Sequence, residues 1–249
     1  MSNNDHFSSF AATYATYRPT YPAGLFTWLA DQAPARQTAW DCATGNGQAA
    51  LALAEHFDAV VATDVGARMI AHAPAHPRVT YAVEPAEKPP GALAPASVDL
   101  VTVAQALHWF DLPRFWSACT HVIRPTGILA YWGYLLPEVT PAVDAIVRDY
   151  HDNIVGPYWS PDRAPLLEGY RRIQPPGTRL NVPDFTMTAT WNVDQLIGTL
   201  DSWSATHRCR QATKHDPLPA TAALVRAVWG PSPTTRDVTW PLHVHAWRW

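Results

Sequence analysis

Two glycines in a short polar turn are the residues of this chain that most directly indicate ligand chemistry. Gly45 and Gly47 lie in the run Trp40–Gln48, where an apolar strand pattern enters the turn and a helical pattern leaves it. Glycine allows the backbone to approach a ligand closely, and the first N–H groups of a helix are free to bind an anion. The segment therefore predicts a ligand site between a strand and the start of a helix.

An acidic residue follows at a position that suits the recognition of a ribose. Asp64 ends the next predicted strand, 19 residues after Gly45, and a carboxylate there can accept hydrogen bonds from a pair of ribose hydroxyls. The segment Gly45–Ala50 also satisfies the G-x-G-x-x-G/A pattern of dinucleotide dehydrogenases. A nicotinamide-dependent oxidoreductase is therefore one interpretation of this turn.

Strand-like and helical segments alternate around these residues, which predicts an α/β fold with a doubly wound, mostly parallel sheet. Periodicity and turn residues place the elements of this part of the chain. Strands are predicted at Ala39–Cys42, Ala59–Asp64, Val79–Val83, Val98–Ala104 and Ile128–Tyr134, helices at Gln48–His56, 67–73 and Leu112–Val122, and a turn at Pro125–Gly127.

The flanking regions carry weaker patterns. Near the start, Phe7, Phe10, Tyr14 and Tyr17 recur at helical spacing, and Pro19 and Pro22 separate them from a second helix. After residue 140, the pattern predicts helices at Pro141–Ile154, Val193–His207 and Ala220–Trp229, and strands at Phe185–Trp191 and Val238–Trp249.

Composition narrows the function classes. The net charge is −3 and no basic run is present, so nucleic acid is not an expected partner. Lys88 and Lys214 are the two lysines of the chain, and neither completes a phosphate-binding Gly-Lys-Ser/Thr loop. No third ligand accompanies His243 and His245, so no metal site is predicted.

The same reading predicts a cytoplasmic protein with no membrane association. Three cysteines far apart suit free thiols in a reducing compartment. The first residues are polar, and no apolar run approaches the length of a membrane span. The oligomeric state is not predicted.

Four segments, in order, resemble the motifs of class I S-adenosylmethionine (SAM) methyltransferases. Asp41–Gln48 resembles the first motif, D-x-G-x-G-x-G, with Ala43 in place of its first glycine. Asp64 matches the second motif, Val98–Phe110 is similar to the fourth strand and the turn after it, and Arg124–Gly127 resembles the K-P-G-G turn before the fifth strand.

The whole chain is most similar to the branch that contains trans-aconitate methyltransferases. Three segments carry that finer resemblance: Tyr14–Pro22, Ala104–Asp111 and Asp201–Ser204. It implies a seven-stranded sheet whose last strand is antiparallel. It also implies one domain with four parts: a helical lid at 1–36, a SAM-binding core at 37–136, acceptor-side elements at 137–236 and the last strand at 237–249.

The resemblance implies a role for each motif residue. Gly45 and Gly47 would admit the methionine and ribose parts, with Asp41 orienting that end, and Asp64 would bind both ribose hydroxyls. Arg18 would lie in the lid near a carboxylate, although an ordinary surface arginine is the alternative. The implied cofactor residues are Tyr14, Arg18, Asp41, Ala43, Gly45, Gly47, Asp64, Val65, Ala86, Glu87 and Gln105.

Two departures from the family pattern affect the cofactor site. Ala43 is compatible with the turn if its φ angle is negative. Pro85 stands where the family often has an acid that accepts a hydrogen bond from the adenine amino group. Either Glu84 or Glu87 takes the place of that acid, or backbone groups alone bind the adenine.

The methyl acceptor is expected to be a small molecule with a carboxylate or a hydroxyl, yielding S-adenosylhomocysteine as the second product. His108 could act as general base for a hydroxyl, since its reference pKa of about 6.5 suits that role, whereas a carboxylate needs no base. One or two of the arginines after residue 160 could bind an acidic acceptor, although solvated surface charge is the alternative for the group. They are Arg163, Arg171, Arg172, Arg179, Arg208 and Arg210. The expected acceptor residues are His108, Trp109, Trp132, Trp203 and Arg208, with Trp191 a further candidate.

Two alternatives to methyl transfer stay open on the sequence alone. One is the nicotinamide-dependent oxidoreductase, and the other is a protein that binds SAM without methylating.

Overall fold

Five parallel strands form the centre of the structure, a computed structural model that describes residues 19–249. They are β1 (Thr38–Cys42), β2 (Ala59–Asp64), β3 (Val79–Val83), β4 (Val98–Ala104) and β5 (Ile123–Gly133). The sheet order begins β3-β2-β1-β4-β5, so β2 and β4 lie on opposite sides of β1. The order therefore reverses at β1, where doubly wound sheets bind their ligands beyond the carboxyl ends of the strands.

Helices cover both faces of this sheet, and alternate strand residues face each of them, as the period of a β-strand requires. In β5, Trp132 packs in one core with Leu25 of the first helix, while Tyr131 packs in the other with Phe115. The helices of this half are α1 (Ala23–Gln32), α2 (Gln48–Ala54), α3 (Ala67–Ala71) and α4 (Leu112–Val122), and a 3₁₀ turn spans Leu107–Trp109.

The last strand is antiparallel, as expected, and it joins the two halves of the chain. β8 (Thr235–Arg248) pairs through its second half with β5 and through its first half with β7 (Phe185–Asn192). The two-residue strand β6 (Thr178–Arg179) pairs with its end. Residues 19–249 thus contain eight strands rather than seven, because β6 arises in a Pro- and Gly-rich stretch that carries no strand periodicity.

The elements between residues 137 and 236 differ most from the predicted ones. The predicted helix Val193–His207 is two helices, because Ser202 hydrogen-bonds the last turn of the first and Trp203 is extended. Pro141–Ile154 is α-helical only to Asp149 and then forms a π turn. The helices are α5 (Pro141–Asp149), α6 (Ala164–Leu167), α7 (Val193–Asp201), α8 (Ser204–Thr213) and α9 (Leu218–Trp229), with the π turn at Tyr150–Ile154 and 3₁₀ turns at Gly156–Tyr158 and Pro161–Arg163.

The predicted turn Pro125–Gly127 lies within β5, where a shift of register and a positive φ of 67° at Thr126 absorb the extra residues. The aromatic stripe from Phe7 to Tyr17 lies outside the described residues. No helix within residues 19–249 is both long enough and apolar enough to cross a membrane.

A buried aspartate fixes the start of the central strand. Asp99 of β4 is fully buried, and its Oδ2 accepts hydrogen bonds of 2.9 Å from the backbone N–H groups of Gln37 and Thr38. Nη1 of Arg124 lies 3.1 Å from its Oδ1. One carboxylate therefore connects the beginnings of β1, β4 and β5.

We expect Asp99→Asn to lower the free energy of unfolding by about 2–3 kcal/mol, since it breaks a buried ion pair whose arginine is partly exposed. Urea denaturation of the variant and the parent protein measures the difference. Asp58→Asn, which changes an exposed aspartate at the foot of β2, is the control. Equal stabilities of the two variants would contradict the role of Asp99.

Candidate active site

Both glycines of the turn after β1 have left-handed backbone conformations. Gly45 has a φ of 59°, and Gly47, the N-cap of α2, has a φ of 86°. A Cβ on Gly47 would collide with the hydroxyl of Tyr81, whereas one on Gly45 would only contact Met69, at 3.5 Å. Gly47 is therefore required by packing behind the turn, and Gly45 borders open space in front of it.

Ala43 also has a left-handed conformation, with a φ of 56°. The expectation of a negative φ at this residue is wrong. The neighbouring N–H of Thr44 donates to the carbonyl of Thr63 at 2.9 Å, which ties the turn to β2. Such a conformation costs a non-glycine residue about 1–2 kcal/mol, so the turn keeps the glycine geometry in spite of the alanine.

Matched substitutions at these two positions should have opposite effects. Gly47→Ala should destabilise the protein by about 2–4 kcal/mol, through the strained φ and the contact with Tyr81. Ala43→Gly should stabilise it by about 0.5–1 kcal/mol, because the relief of strain exceeds the added freedom of the unfolded chain.

Thermal and urea unfolding measure both effects. Adding Tyr81→Phe to Gly47→Ala should restore part of the loss, since it removes the colliding hydroxyl. No recovery in the double variant, or a destabilised Ala43→Gly variant, would contradict this account of the turn.

Asp41 supports the turn from beneath. Its side chain is fully buried, its Oδ2 accepts a hydrogen bond of 2.6 Å from Thr44 Oγ1, and its Oδ1 accepts one of 2.8 Å from Thr102 Oγ1. The backbone N–H of Ala50 adds a third. Asp41 does not line the cavity in front of the turn, and it supports the turn from behind.

The burial of Asp41 gives the stability of the protein a distinctive pH dependence. Loss of hydration raises the pKa of Asp41 from 3.8 to about 6, although its hydrogen bonds oppose the shift. A carboxyl group whose pKa is raised by folding stabilises the folded state fully below its unfolded pKa. That contribution is lost as the pH rises through the folded pKa.

We therefore expect the free energy of unfolding of the parent protein, minus that of Asp41→Asn, to fall by about 2–3 kcal/mol between pH 4 and pH 7. Buried histidines such as His108 have the opposite pH dependence, but both proteins contain them, so the difference isolates Asp41. Urea titrations at several pH values test this. A difference that stays constant across the range would contradict it.

Asp64 lies at the carboxyl end of β2 and faces the open side of the turn. Its Oδ2 accepts a hydrogen bond of 2.9 Å from the N–H of Gly45, and its Oδ1 accepts one of 2.7 Å from the N–H of Gly66. Burial raises its pKa, and the two N–H groups act against this. Each carboxylate oxygen has a second lone-pair direction, so Asp64 can still accept two further hydroxyl donors.

A cavity of about 310 Å³ lies in front of the turn. The structure brings most of the predicted cofactor residues together there: Ala43, Gly45, Asp64, Val65, Ala86 and Glu87. Glu84 also lines the wall, so both candidate acids for the adenine are present. One carboxylate oxygen of each acid accepts a backbone hydrogen bond. Glu84 accepts from the N–H of Gly91, and Glu87 accepts from the N–H of Asp111. Tyr14 and Arg18 lie outside the described residues.

A second cavity, of about 180 Å³, adjoins the first. Met69, Gln105 and Trp109 line both. Gln105, with a φ of 57°, donates through Nε2 to the carbonyl of Tyr134 at 3.0 Å, while its Oε1 is buried with no hydrogen-bond partner in the described part of the chain. Gln105 therefore stands at the junction with an unused acceptor.

The second cavity contains three of the expected acceptor residues, His108, Trp109 and Trp203. Trp132 does not line it. Its ring is fully buried and packs edge-on against Tyr21, with 5.4 Å between centroids.

Two further residues of the acceptor prediction lie elsewhere. Arg208 does not line the cavity, and its Nη1 donates to the carbonyl of Tyr158 at 3.5 Å. Trp191 is buried against Trp240, so it belongs to the core.

His108 is held as a neutral side chain. Its Nδ1 shares a hydrogen bond of 2.8 Å with the hydroxyl of Tyr170. Burial, with a smaller contribution from Arg163, lowers its pKa from 6.5 to about 4. A group with so low a proton affinity is a weak general base at neutral pH, which favours an acceptor that needs no deprotonation.

Sequence reasoning named Arg163 only as one of several arginines and missed His151 and His207, although all three line the second cavity. The guanidinium of Arg163 stacks over Trp159, 3.6 Å from the ring centroid. The sequence carries no clear signal for this contact, because Trp159 and Ser160 are extended and the two side chains meet through the fold of an irregular segment.

Comparison with known proteins defines the family. The methyltransferase domain family matches residues 40–131. A Dictyostelium discoideum protein named as a methyltransferase is 32% identical over 220 residues, which are 87% of this chain and 83% of that protein. A Saccharomyces cerevisiae protein named as an S-adenosylmethionine-dependent methyltransferase is 27% identical over 179 residues, 67% of this chain and 60% of its own.

A solved structure from Anaeromyxobacter dehalogenans, described as a type II methyltransferase, is 44% identical and has a TM-score of 0.87, covering 93% of this chain and 98% of that one. With the sheet order and the turn after β1, these similarities show that the chain belongs to the class I SAM-dependent methyltransferase superfamily. It is an enzyme of the methyltransferase class, not an oxidoreductase.

Proposed function

We propose that this methyltransferase transfers a methyl group from SAM to a small-molecule acceptor at a carboxylate or hydroxyl oxygen. The observation that carries the proposal is the junction of the two cavities at Met69, Gln105 and Trp109. One cavity has the carboxylate and glycine backbone of a nucleoside site, and the other has aromatic and histidine walls. A cofactor in the first would meet an acceptor in the second at this shared wall.

The residues of the first cavity fit SAM. Asp64 can accept both ribose hydroxyls, and Gly45 leaves room for close approach of the ligand. The exposed side chain of Val65 offers an apolar surface beside them. Gln105 lines the same cavity, and its side-chain amide would lie beside the methionine part.

SAM supplies a methyl group on a positively charged sulfur, so the protein has to bind, align and exclude water. Gln105 and Trp109 would orient the two ligands at the junction, and the Trp109 ring favours a neighbouring cation.

Charge and cysteine state support the rest of the proposal. The net charge of −3 argues against a nucleic-acid acceptor. Cys42, Cys119 and Cys209 are buried and unpaired, which agrees with a reducing compartment such as the cytoplasm. The remaining alternative, a protein that binds SAM without methylating, is separated by mass spectrometry of the products formed from candidate acceptors.

Asp64→Ala should weaken SAM binding by about 1–3 kcal/mol, the range for hydrogen bonds to a charged group. Isothermal titration with SAM, S-adenosylhomocysteine and NAD measures this, and NAD should not bind the parent protein. The affinity of Asp64→Asn for SAM should lie between those of the parent protein and Asp64→Ala, because asparagine keeps one acceptor oxygen. Asp58→Ala is the surface control. Unchanged affinity in Asp64→Ala would remove the ribose assignment, and a parent protein that binds neither SAM nor S-adenosylhomocysteine would overturn the proposed function.

A further inference from the structure

Among residues 19–249, no anionic partner lies beside Arg163, a cation at the wall of the second cavity. It ends the 3₁₀ turn Pro161–Arg163, which leads directly into α6. Its Nη1 is buried and has no hydrogen-bond partner among residues 19–249. Within the same residues, no carboxylate lies within salt-bridge distance of its guanidinium.

A half-buried guanidinium in this state is costly. Burial withdraws the charge from water without compensation by an anion. It lowers the pKa of Arg163 to about 10, helped by the nearby charge of Arg208, so the group stays protonated at neutral pH. Trp159 fixes the plane of the guanidinium by stacking. An anionic ligand in the cavity would compensate this charge.

The rest of the wall adds no net charge. No aspartate, glutamate or lysine is among the described residues that line this cavity. His108, His151 and His207 have pKa values lowered by burial, so they are neutral near pH 7. The described wall therefore carries one positive charge, which can neutralise one carboxylate.

The remaining surface of the cavity suits an apolar ligand body. Large hydrophobic side chains from five separate segments converge on it. They are Trp109, Trp159, Trp203, Trp240, Leu135 and Leu166. Aromatic rings of this kind favour the faces and edges of another ring or an alkyl chain.

We propose that Arg163 binds the carboxylate of the acceptor, and that the acceptor is a monocarboxylate with an aromatic or alkyl body. This rests on the proposed function and names its substrate class. It also distinguishes the chain from the trans-aconitate branch that the sequence resembles. The three negative charges of a tricarboxylate would exceed the single cation of the described wall.

The carboxylate is also the nucleophile in this proposal. A lone pair of one carboxylate oxygen forms the new C–O bond, and the electron pair of the broken C–S bond remains on sulfur. The sulfonium becomes a neutral thioether, the acid becomes a neutral methyl ester, and no proton moves. The wall therefore needs no base, in agreement with its neutral histidines. The ester no longer attracts Arg163, which favours its release.

The test measures binding separately from turnover. Protein saturated with S-adenosylhomocysteine is titrated calorimetrically with phenylacetate, indole-3-acetate and octanoate. Neutral phenylacetamide and 2-phenylethanol, and the polyacids citrate and trans-aconitate, are the comparison ligands. We expect at least one monocarboxylate to bind, with the neutral analogues and polyacids at least about tenfold weaker, the factor given by 1.4 kcal/mol. With SAM, mass spectrometry should detect its methyl ester.

Substitutions assign the effect to Arg163. Arg163→Gln should weaken the monocarboxylate about 10- to 100-fold, as expected for a lost charged hydrogen bond, while its affinity for S-adenosylhomocysteine stays unchanged. The affinity of Arg163→Lys for the monocarboxylate should lie between those of the parent protein and Arg163→Gln, because lysine keeps the charge but lacks the planar guanidinium. Arg208→Gln is the matched control, since it removes a neighbouring charge outside the cavity wall. The melting temperature of Arg163→Gln should also lie well above that of Asp99→Asn. The first substitution removes a charge with no ionic partner among residues 19–249, whereas the second breaks the ion pair with Arg124.

Three results would overturn the inference. They are monocarboxylate binding unaffected in Arg163→Gln, polyacids or neutral analogues that bind as tightly as the monocarboxylates, and absence of any monocarboxylate binding to protein that does bind S-adenosylhomocysteine. The proposed function fails separately, if S-adenosylhomocysteine and SAM themselves do not bind.

Discussion

The hydrogen bonds of Asp41 hold the parts of the cofactor site in place. Asp41 lies near the end of β1. Its carboxylate accepts hydrogen bonds from Thr44 in the glycine turn and from Thr102 in β4. These are the elements that meet where the order of the sheet reverses. With the turn fixed from behind, its front backbone is fixed as well, and the N–H of Gly45 reaches Asp64 across the gap to β2. The positions of Asp64 and of the cavity in front of it depend on this one buried group.

Three buried charges illustrate how stability and function are divided in the molecule. Asp41 is satisfied by hydroxyl and backbone donors, and Asp99 by backbone donors and Arg124. Both connect strands, and neither faces a cavity. Arg163 differs, because its charge lies beside a cavity and no ionic partner for it occurs in the described part of the chain. A buried charge without a protein counter-ion is common in ligand-binding sites.

The sequence predicted the parallel half of the fold well because its signals there are local. The bounds of β2, β3, β4 and α4 agree with the structure, since each segment is apolar, periodic and limited by turn residues. Most cofactor residues follow these elements directly, so their positions could be inferred from the chain alone. The positive φ of Ala43 could not, because it depends on packing around the turn.

The acceptor side was harder to predict because it depends on long-range packing. A count of tryptophans cannot separate Trp132, which fills the core, from Trp159, which stacks on Arg163 at the cavity. Likewise, Arg163 and Arg208 occur in equally irregular sequence, and only the fold determines which of them lines the cavity. The two-residue strand β6 and the break between α7 and α8 also reflect tertiary contacts rather than sequence periodicity.

The length of β8 has a mechanical consequence. One continuous strand of 14 residues pairs with β7 along its first half and with β5 along its second. It therefore acts as a strut that connects the acceptor side to the cofactor side through the backbone. A hinge motion that separated β7 from the central sheet would have to bend this strut and break its ladder. Rigidity of this kind holds Trp240, which β8 contributes to the second cavity, at a fixed position relative to the central sheet.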